Sequence, residues 1–256
     1  MPHKETTKLH PGADTAVLFI HGICGSPNHF KQLLPLEAAV PQGWSIYNIV
    51  LDGHCKNVED FGRSSMKKWK SQVNSVFSEL SKTHEKVIVV GHSMGTLLAI
   101  DLALQYPKKV AFLFLLASPV WVAVQPRAVK YLIKIAFDCV DENNPVLVSM
   151  RDACGIHQTK KLWKYIPCSL RMIELLQLCR QTANKLSDLR VPCMAWQSEK
   201  DEMVSRRAGK LLRQSGRVAV HDLPNSTHFY YQKEDAEAIM QGFMDACEKY
   251  KKESPQ

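Results

Sequence analysis

The pentapeptide Gly91-His92-Ser93-Met94-Gly95 has G-x-S-x-G spacing, which can present a serine as a nucleophile. It follows a short apolar run, Lys86 to Val90, and opens a Leu- and Ala-rich stretch from Met94 to Leu104. That order predicts a strand, a tight turn and a helix. Ser93 then sits in the turn with strained backbone angles. Glycines two residues before and after it let the neighbouring backbone come close. The helix start aims free backbone N–H groups at the reacting oxygen. The competing reading is a Gly-rich turn around an idle serine.

A serine hydroxyl is a poor nucleophile at neutral pH. It needs a base, and the base needs an orienting carboxylate. With this elbow the partners follow in the order acid, then histidine. Three histidines follow Ser93: His157, His221 and His228. His157 lies in a stretch without strand character. His221 lies inside an apolar strand pattern. His228 follows that strand in Asn225-Ser226-Thr227-His228, a loop able to reach the elbow, and is the expected base. The acid is expected just past the preceding strand, in Ser198-Glu199-Lys200-Asp201-Glu202. Asp201 is best placed there. Glu199 is the alternative, and the flanking Glu199 and Glu202 otherwise read as solvated surface charges.

The oxyanion needs two backbone donors. One is the N–H of Met94, the residue after the nucleophile. The other is expected in His21-Gly22-Ile23-Cys24-Gly25, where Gly22 allows close approach and Ile23 supplies the N–H. Cys24 is not read as a thiol nucleophile, because it has no elbow and no paired base near it in sequence.

These residues need a scaffold. Short apolar runs recur at Ala16–Ile20, Ser45–Leu51, Lys86–Val90, Val110–Leu116, Val191–Trp196 and Val218–Leu223. Each is too short for a helix and apolar throughout, as in parallel strands covered on both faces. Between them lie helical patterns. Met66, Trp69, Val73, Val76, Phe77 and Leu80 form one apolar face, with Ser64 or Ser65 as cap. Further helices are expected over Val204–Leu212 and Glu234–Lys249. The alternation predicts an α/β fold with right-handed crossovers. From about Trp121 to Ser187 the pattern is helical with no strand, including helices over Arg127–Phe137 and Leu170–Leu186. The tail from Lys249 to Gln256 reads as frayed.

Composition narrows the class. The 256 residues are 45% hydrophobic and 23% charged, enough for a sizeable core. The net charge of +8 is spread along the chain, so no nucleic-acid footprint is expected. The N-terminus lacks the apolar core of a secretory signal, and no apolar run approaches a membrane span. The eight cysteines form no C-x-x-C pair. They read as reduced thiols, and the expected compartment is the cytoplasm.

Leu18-Phe19-Ile20-His21-Gly22, Asp52-Gly53-His54, Gly91 to Gly95, Gln197 to Val204 and Ser226-Thr227-His228 together resemble an α/β-hydrolase of the small bacterial carboxylesterase and monoacylglycerol lipase type. The resemblance runs from Val17 to about Met244. Asp52 and Cys55 depart from the family's P-G-H-G loop, and Ile23 replaces its usual aromatic. The resemblance implies an α/β-hydrolase core over residues 1–118 and 188–256, with a helical cap over 119–187. It implies hydrolysis of short- to medium-chain acyl esters or monoacylglycerols through a Ser93-His228-Asp201 triad, an acyl-enzyme and the N–H groups of Ile23 and Met94. No metal or cofactor is implied, and the expected partner is a small ester with an apolar acyl group. Thioester or C–C bond hydrolysis on the same fold, or a catalytically silent binding protein, are the alternatives. Arg127, Lys130 and Lys134 share one side of a cap helix. That suits docking on anionic lipid or, as favoured here, a helix buried on the core.

Overall fold

A computed structural model describes residues 3–252. The chain opens with β1 (Thr6–Lys8) and β2 (Thr15–Ile20), followed by 3₁₀ turns at Pro27–Phe30 and Leu36–Ala39. Next come β3 (Ser45–Ile49), β4 (Lys56–Asn57), α1 (Val58–Arg63) and α2 (Met66–Thr83). The central part is β5 (Lys86–His92), α3 (Met94–Gln105) and β6 (Val110–Leu116). Then α4 (Pro126–Ala136), α5 (Pro145–Ala153), β7 (Ile156–His157), a 3₁₀ turn at Leu162–Tyr165 and α6 (Cys168–Lys185) precede β8 (Cys193–Ser198). The chain closes with α7 (Arg206–Gln214), β9 (Ala219–Leu223) and α8 (Lys233–Lys252).

Seven strands form one sheet in the order β1-β3-β2-β5-β6-β8-β9. All pairs are parallel except β1 with β3. The apolar runs of the inner strands have the expected cause, whereas β9, at the sheet edge, is largely exposed instead of covered on both faces. Ala16, Leu18 and Ile20 pack on one face of the sheet, and Val17 and Phe19 on the other, so β2 is buried on both sides. One face carries α2 and α3. The α2 stripe of Met66, Trp69, Val73, Phe77 and Leu80 is buried, and Ser65 caps the helix by accepting the Lys68 N–H. The other face is covered by α8 through Ile239, Phe243, Cys247 and Tyr250.

The strand order reverses direction at β2, with β3 on one side and β5 on the other. Such a switch point opens a crevice at the carboxyl ends of the strands. Ile20 is paired with Gly91 there, so His21-Gly22 and Ser93 leave the sheet side by side.

Three further expectations need correction. The stretch from Trp121 to Ser187 is not wholly helical: Ile156–His157 forms a short parallel pair with β4. The tail is not frayed at Lys249, because α8 runs on to Lys252; Glu253 to Gln256 lie outside the described residues. The third concerns Glu202, described with the site below. No helix among the described residues is long and apolar enough to cross a membrane.

Helix α6 belongs partly to the core. Leu175, Leu178 and Cys179 join the strand-facing cluster. Buried Arg171 donates to the carbonyls of Gly62, at 2.9 Å, and Ser64, while Glu174 accepts the Met66 N–H at 2.9 Å. The N-terminal half of α6 and the outer face of α4 leave apolar side chains in water, while Ala128 and Ile135 of α4 are buried.

Candidate active site

Ser93 occupies the turn between β5 and α3 with φ +50°, a left-handed conformation for a residue with a side chain. The fold leaves no room for side chains on either side. A Cβ on Gly95 would lie 1.9 Å from the Ile20 carbonyl oxygen, and one on Gly91 would lie 2.7 Å from the Gly95 backbone. The Ser93 N–H donates to the Leu116 carbonyl at 2.9 Å, and its own carbonyl accepts the Thr96 N–H and hydroxyl. The elbow is therefore clamped between β2, β6 and the first turn of α3.

The loop after β2 lies against it, since a Cβ on Gly22 would meet the Ser93 Cβ at 2.9 Å. Two buried histidines shape this loop. His21 accepts the Leu51 N–H on Nε2 at 3.1 Å, so its Nδ1–H donates to the Gly22 carbonyl at 2.8 Å. His54 accepts the Cys24 N–H on Nε2 at 3.2 Å, and its Nδ1–H donates to the Asp52 carbonyl. The Cys24 carbonyl accepts the Gly155 N–H at 2.8 Å. The Ile23 N–H donates to no protein group among the described residues. The Met94 N–H begins α3, ahead of the first intrahelical bond. Burial pushes the Cys24 thiol well above its ordinary value, with Cys154 and Cys168 adding to the shift, so it stays protonated.

His228 lies in the loop after β9. Its Nδ1 is 2.8 Å from Asp201 Oδ2, and both residues are buried. The other Asp201 oxygen accepts the Met203 and Val204 N–H groups, each at 2.7 Å. The carboxylate is thus held at both ends. The His228 loop is held too: Asp235 accepts from the Asn225 N–H and the Ser226 hydroxyl, and His92 Nε2–H donates to the His228 carbonyl at 3.1 Å. His92, one residue before Ser93, also sets its ring 4.9 Å from the His228 ring. His221 lies elsewhere, stacked on Trp196. Glu199 is a surface residue facing Arg206.

Glu202 is not a solvated surface charge. Its side chain is fully buried, with Oε2 accepting the His228 N–H at 3.3 Å and lying 4.0 Å from the Arg127 guanidinium. Its Oε1 has no partner among the described residues. Burial pushes its carboxyl up, and His228 opposes that shift. What covers it is the segment entering α4. Val122 bridges Val204, Ala123 and Gln125 donate N–H groups to the Met203 and Glu202 carbonyls, and the Gln125 amide donates to the Asp201 carbonyl. Nothing in a Glu-Lys-Asp-Glu string signals that a strap from 80 residues earlier in the chain will lie across it.

Burial alone would lower the His228 pKa. The Asp201 and Glu202 carboxylates outweigh it and raise His228 above the usual histidine value. The other histidines of this region go the opposite way. Burial lowers His21 to about 4 and His29 to about 3, and holds His54 and His92 well below the usual range. Of these five rings, only His228 has its charged form favoured by its surroundings. The four neutral rings act as fixed hydrogen-bonding and stacking groups, as in the His29–His92 stack at 3.6 Å.

Beside the Ile23 loop lies an apolar cavity of about 280 Å³. Cys24, Phe61, Ile133, Phe137, Leu162 and Met172 are among its walls. Among the described residues no group of three or more His, Cys, Asp or Glu is placed to hold a metal ion.

The sequence profile of the family described as "Serine aminopeptidase, S33" (Hydrolase_4) matches residues 11–231. No curated protein matches the chain in sequence. Solved structures are similar in fold. One comes from work on LipS and LipT, two metagenome-derived lipolytic enzymes, at TM-score 0.73 and 18% identity over 97% of this chain and 98% of that one. The monoacylglycerol lipase of Paleococcus ferrophilus gives TM-score 0.65 and 14% identity over 94% and 98%. The enol-lactonase of Burkholderia xenovorans gives 0.64 and 15% over 94% of each chain. With the family profile covering most of its length, the chain belongs to the serine aminopeptidase S33 family and is a hydrolase of the α/β-hydrolase fold.

Proposed function

We propose that the protein hydrolyses carboxylic esters with an apolar acyl group, through Ser93, His228 and Asp201. One observation supports this most strongly: a buried His228–Asp201 pair at 2.8 Å, tied through the His228 carbonyl to His92, the residue before a serine held at φ +50°. His228 Nε2 takes the Ser93 proton as Oγ attacks the ester carbonyl. Asp201 holds Nδ1–H and stabilises the imidazolium that forms. The N–H groups of Ile23 and Met94 receive the oxyanion. His228 then protonates the departing alcohol and activates the water that releases the acid from the acyl-enzyme.

Residues 119–187 act in this reading as a cap over the crevice. The cavity between α1, α4 and α6 takes the acyl chain, because its walls are apolar and begin at Cys24, next to Ile23. The same walls favour an acyl chain over the charged amino terminus that an aminopeptidase must bind. Thioester hydrolysis uses the same machinery and is the second reading.

A panel of p-nitrophenyl esters, acyl thioesters and amino-acid anilides tests this. kcat/KM on the esters is expected to rise with acyl length, by up to about tenfold per two methylenes, and then to level off when the cavity is full. A preference for the anilides, or no turnover of any ester, overturns the reading.

A further inference from the structure

The helical segment keeps a set of large apolar side chains in water. Trp163 is 65% exposed and Ile166 69%, at the turn leading into α6. Leu170 and Ile173, on the first turns of α6, are exposed as well. On α4, Val129, Leu132 and Ile133 are exposed. The two groups are not scattered. Val129, Leu132 and Ile133 line the 280 Å³ cavity, as do Leu162 and Met172, the sequence neighbours of Trp163 and Ile173. The exposed side chains thus line the cavity or lie within a few residues of those that do, and they form an apolar rim beside it. A contiguous apolar surface of this kind marks an interaction site.

The two segments that carry the exposed apolar side chains are basic. Residues 124–137 contain Arg127, Lys130 and Lys134 and no acid; residues 157–173 contain Lys160, Lys161, Lys164 and Arg171 and no acid. Lys164 is paired with Glu59, and Arg171 is buried in the contacts with the α1–α2 turn. Lys130, Lys134, Lys160 and Lys161 are exposed, whereas Arg127 is turned to the Lys200 carbonyl and Glu202. Long basic side chains beside exposed Trp, Ile and Leu suit the boundary between acyl chains and anionic headgroups. A second copy of the chain suits it poorly, because a symmetric contact would bring lysines against lysines.

We propose that this rim docks on the surface of an anionic lipid bilayer. Trp163, Ile166, Leu170 and Ile173 enter the acyl boundary, and Lys130, Lys134 and Lys161 meet the headgroup phosphates. The cavity mouth then faces the bilayer rather than water. The inference rests on exposure and charge, and stands whether or not the ester-hydrolase reading holds.

Vesicle flotation with the full chain tests it, comparing phosphatidylcholine alone with a mixture containing about one-third phosphatidylglycerol. The expected result is binding to the mixed vesicles, weak binding to the neutral ones, and release at high salt. The triple variant Trp163→Ser, Ile166→Ser, Ile173→Ser touches neither the cavity wall nor the Ser93 crevice, and should abolish binding while its thermal unfolding stays near that of the parent. Reversing Lys130, Lys134 and Lys161 to Glu should weaken binding to mixed vesicles by about a hundredfold or more. Absence of wild-type binding overturns the proposal. So does binding that survives both variants. Light scattering that shows a dimer dispersed by the apolar variant overturns it too, since a second copy would then cover the rim.

Discussion

Around Ser93 the chain buries even its polar groups. His21, His54, His92, His228, Asp201 and Glu202 are all withdrawn from water, and most of their hydrogen-bonding atoms meet a backbone partner. The rim of α4 and α6 is its opposite, with tryptophan, isoleucine and leucine in solvent. The floor is held by strand ends, where register and turn geometry determine each position. The rim is held by side-chain contacts, such as Arg171 with the Gly62 carbonyl and Lys164 with Glu59. The contrast teaches a division of labour. Chemistry needs a geometry fixed to fractions of an ångström, so the fold satisfies most groups there internally. Contact with a substrate or a surface needs groups left for the incoming molecule to cover.

The floor should break under small changes. Asp201→Asn keeps the shape but removes the charge that pairs with His228 Nδ1. The account expects kcat/KM to fall by roughly two to four orders of magnitude. Glu199→Gln, at an exposed residue facing Arg206, should stay near wild type. Steady-state kinetics on one ester compare them, and a larger loss in Glu199→Gln would move the acid.

The neutral histidines give the floor a pH limit. His21, His29, His54 and His92 have folded pKa values below the ordinary one, so the unfolded chain binds protons that the folded chain refuses. Their stabilisation is complete above about pH 6.5 and is lost as pH falls below it, at roughly 1.4 kcal/mol per pH unit for each ring. His228 has the opposite sign. Its contribution is complete below that range and lost as pH rises through its raised folded value. Calorimetry should show Tm dropping steeply from pH 7 to pH 5. A flat profile would mean that these rings are not held neutral.

The smallest effect sharpens the boundary between floor and rim. Glu202 touches His228 on one side and Arg127, from the first helix of the outer segment, on the other. Glu202→Gln keeps an acceptor for the His228 N–H and removes a charge that helps raise His228. The acid limb of the kcat/KM profile should move to lower pH, with less than about a tenfold change at the optimum. A uniform loss with no shift would make Glu202 a packing residue only.

The floor was legible because its signals are local. An apolar run ending in His21-Gly22, a Gly-flanked Ser93 and a loop histidine after the last strand each state their geometry within a few residues. The doubly buried strands were legible for the same reason. Other features depend on partners distant in sequence. β1, written Thr-Thr-Lys, has no apolar pattern and exists because β3 offers an edge. Pro145 looks like a breaker yet occupies the first turn of α5, where its missing N–H costs nothing. Glu202 looks solvated until the strap from Trp121 to Arg127 is laid over it. His54 and His92 lie in the recognised motifs, but their neutral, bonding role follows from burial that sequence patterns do not express.

The central claim is that Ser93 is the nucleophile of a hydrolase that forms an acyl-enzyme. Intact-mass spectrometry after treatment with a fluorophosphonate tests it most directly, with peptide mapping of the adduct. The account predicts one adduct per chain on Ser93, none in Ser93→Ala, and slow or no labelling in His228→Ala. Loss of the hydroxyl should also cost ester turnover roughly three orders of magnitude or more. An unlabelled Ser93, or near wild-type turnover in Ser93→Ala, would contradict it.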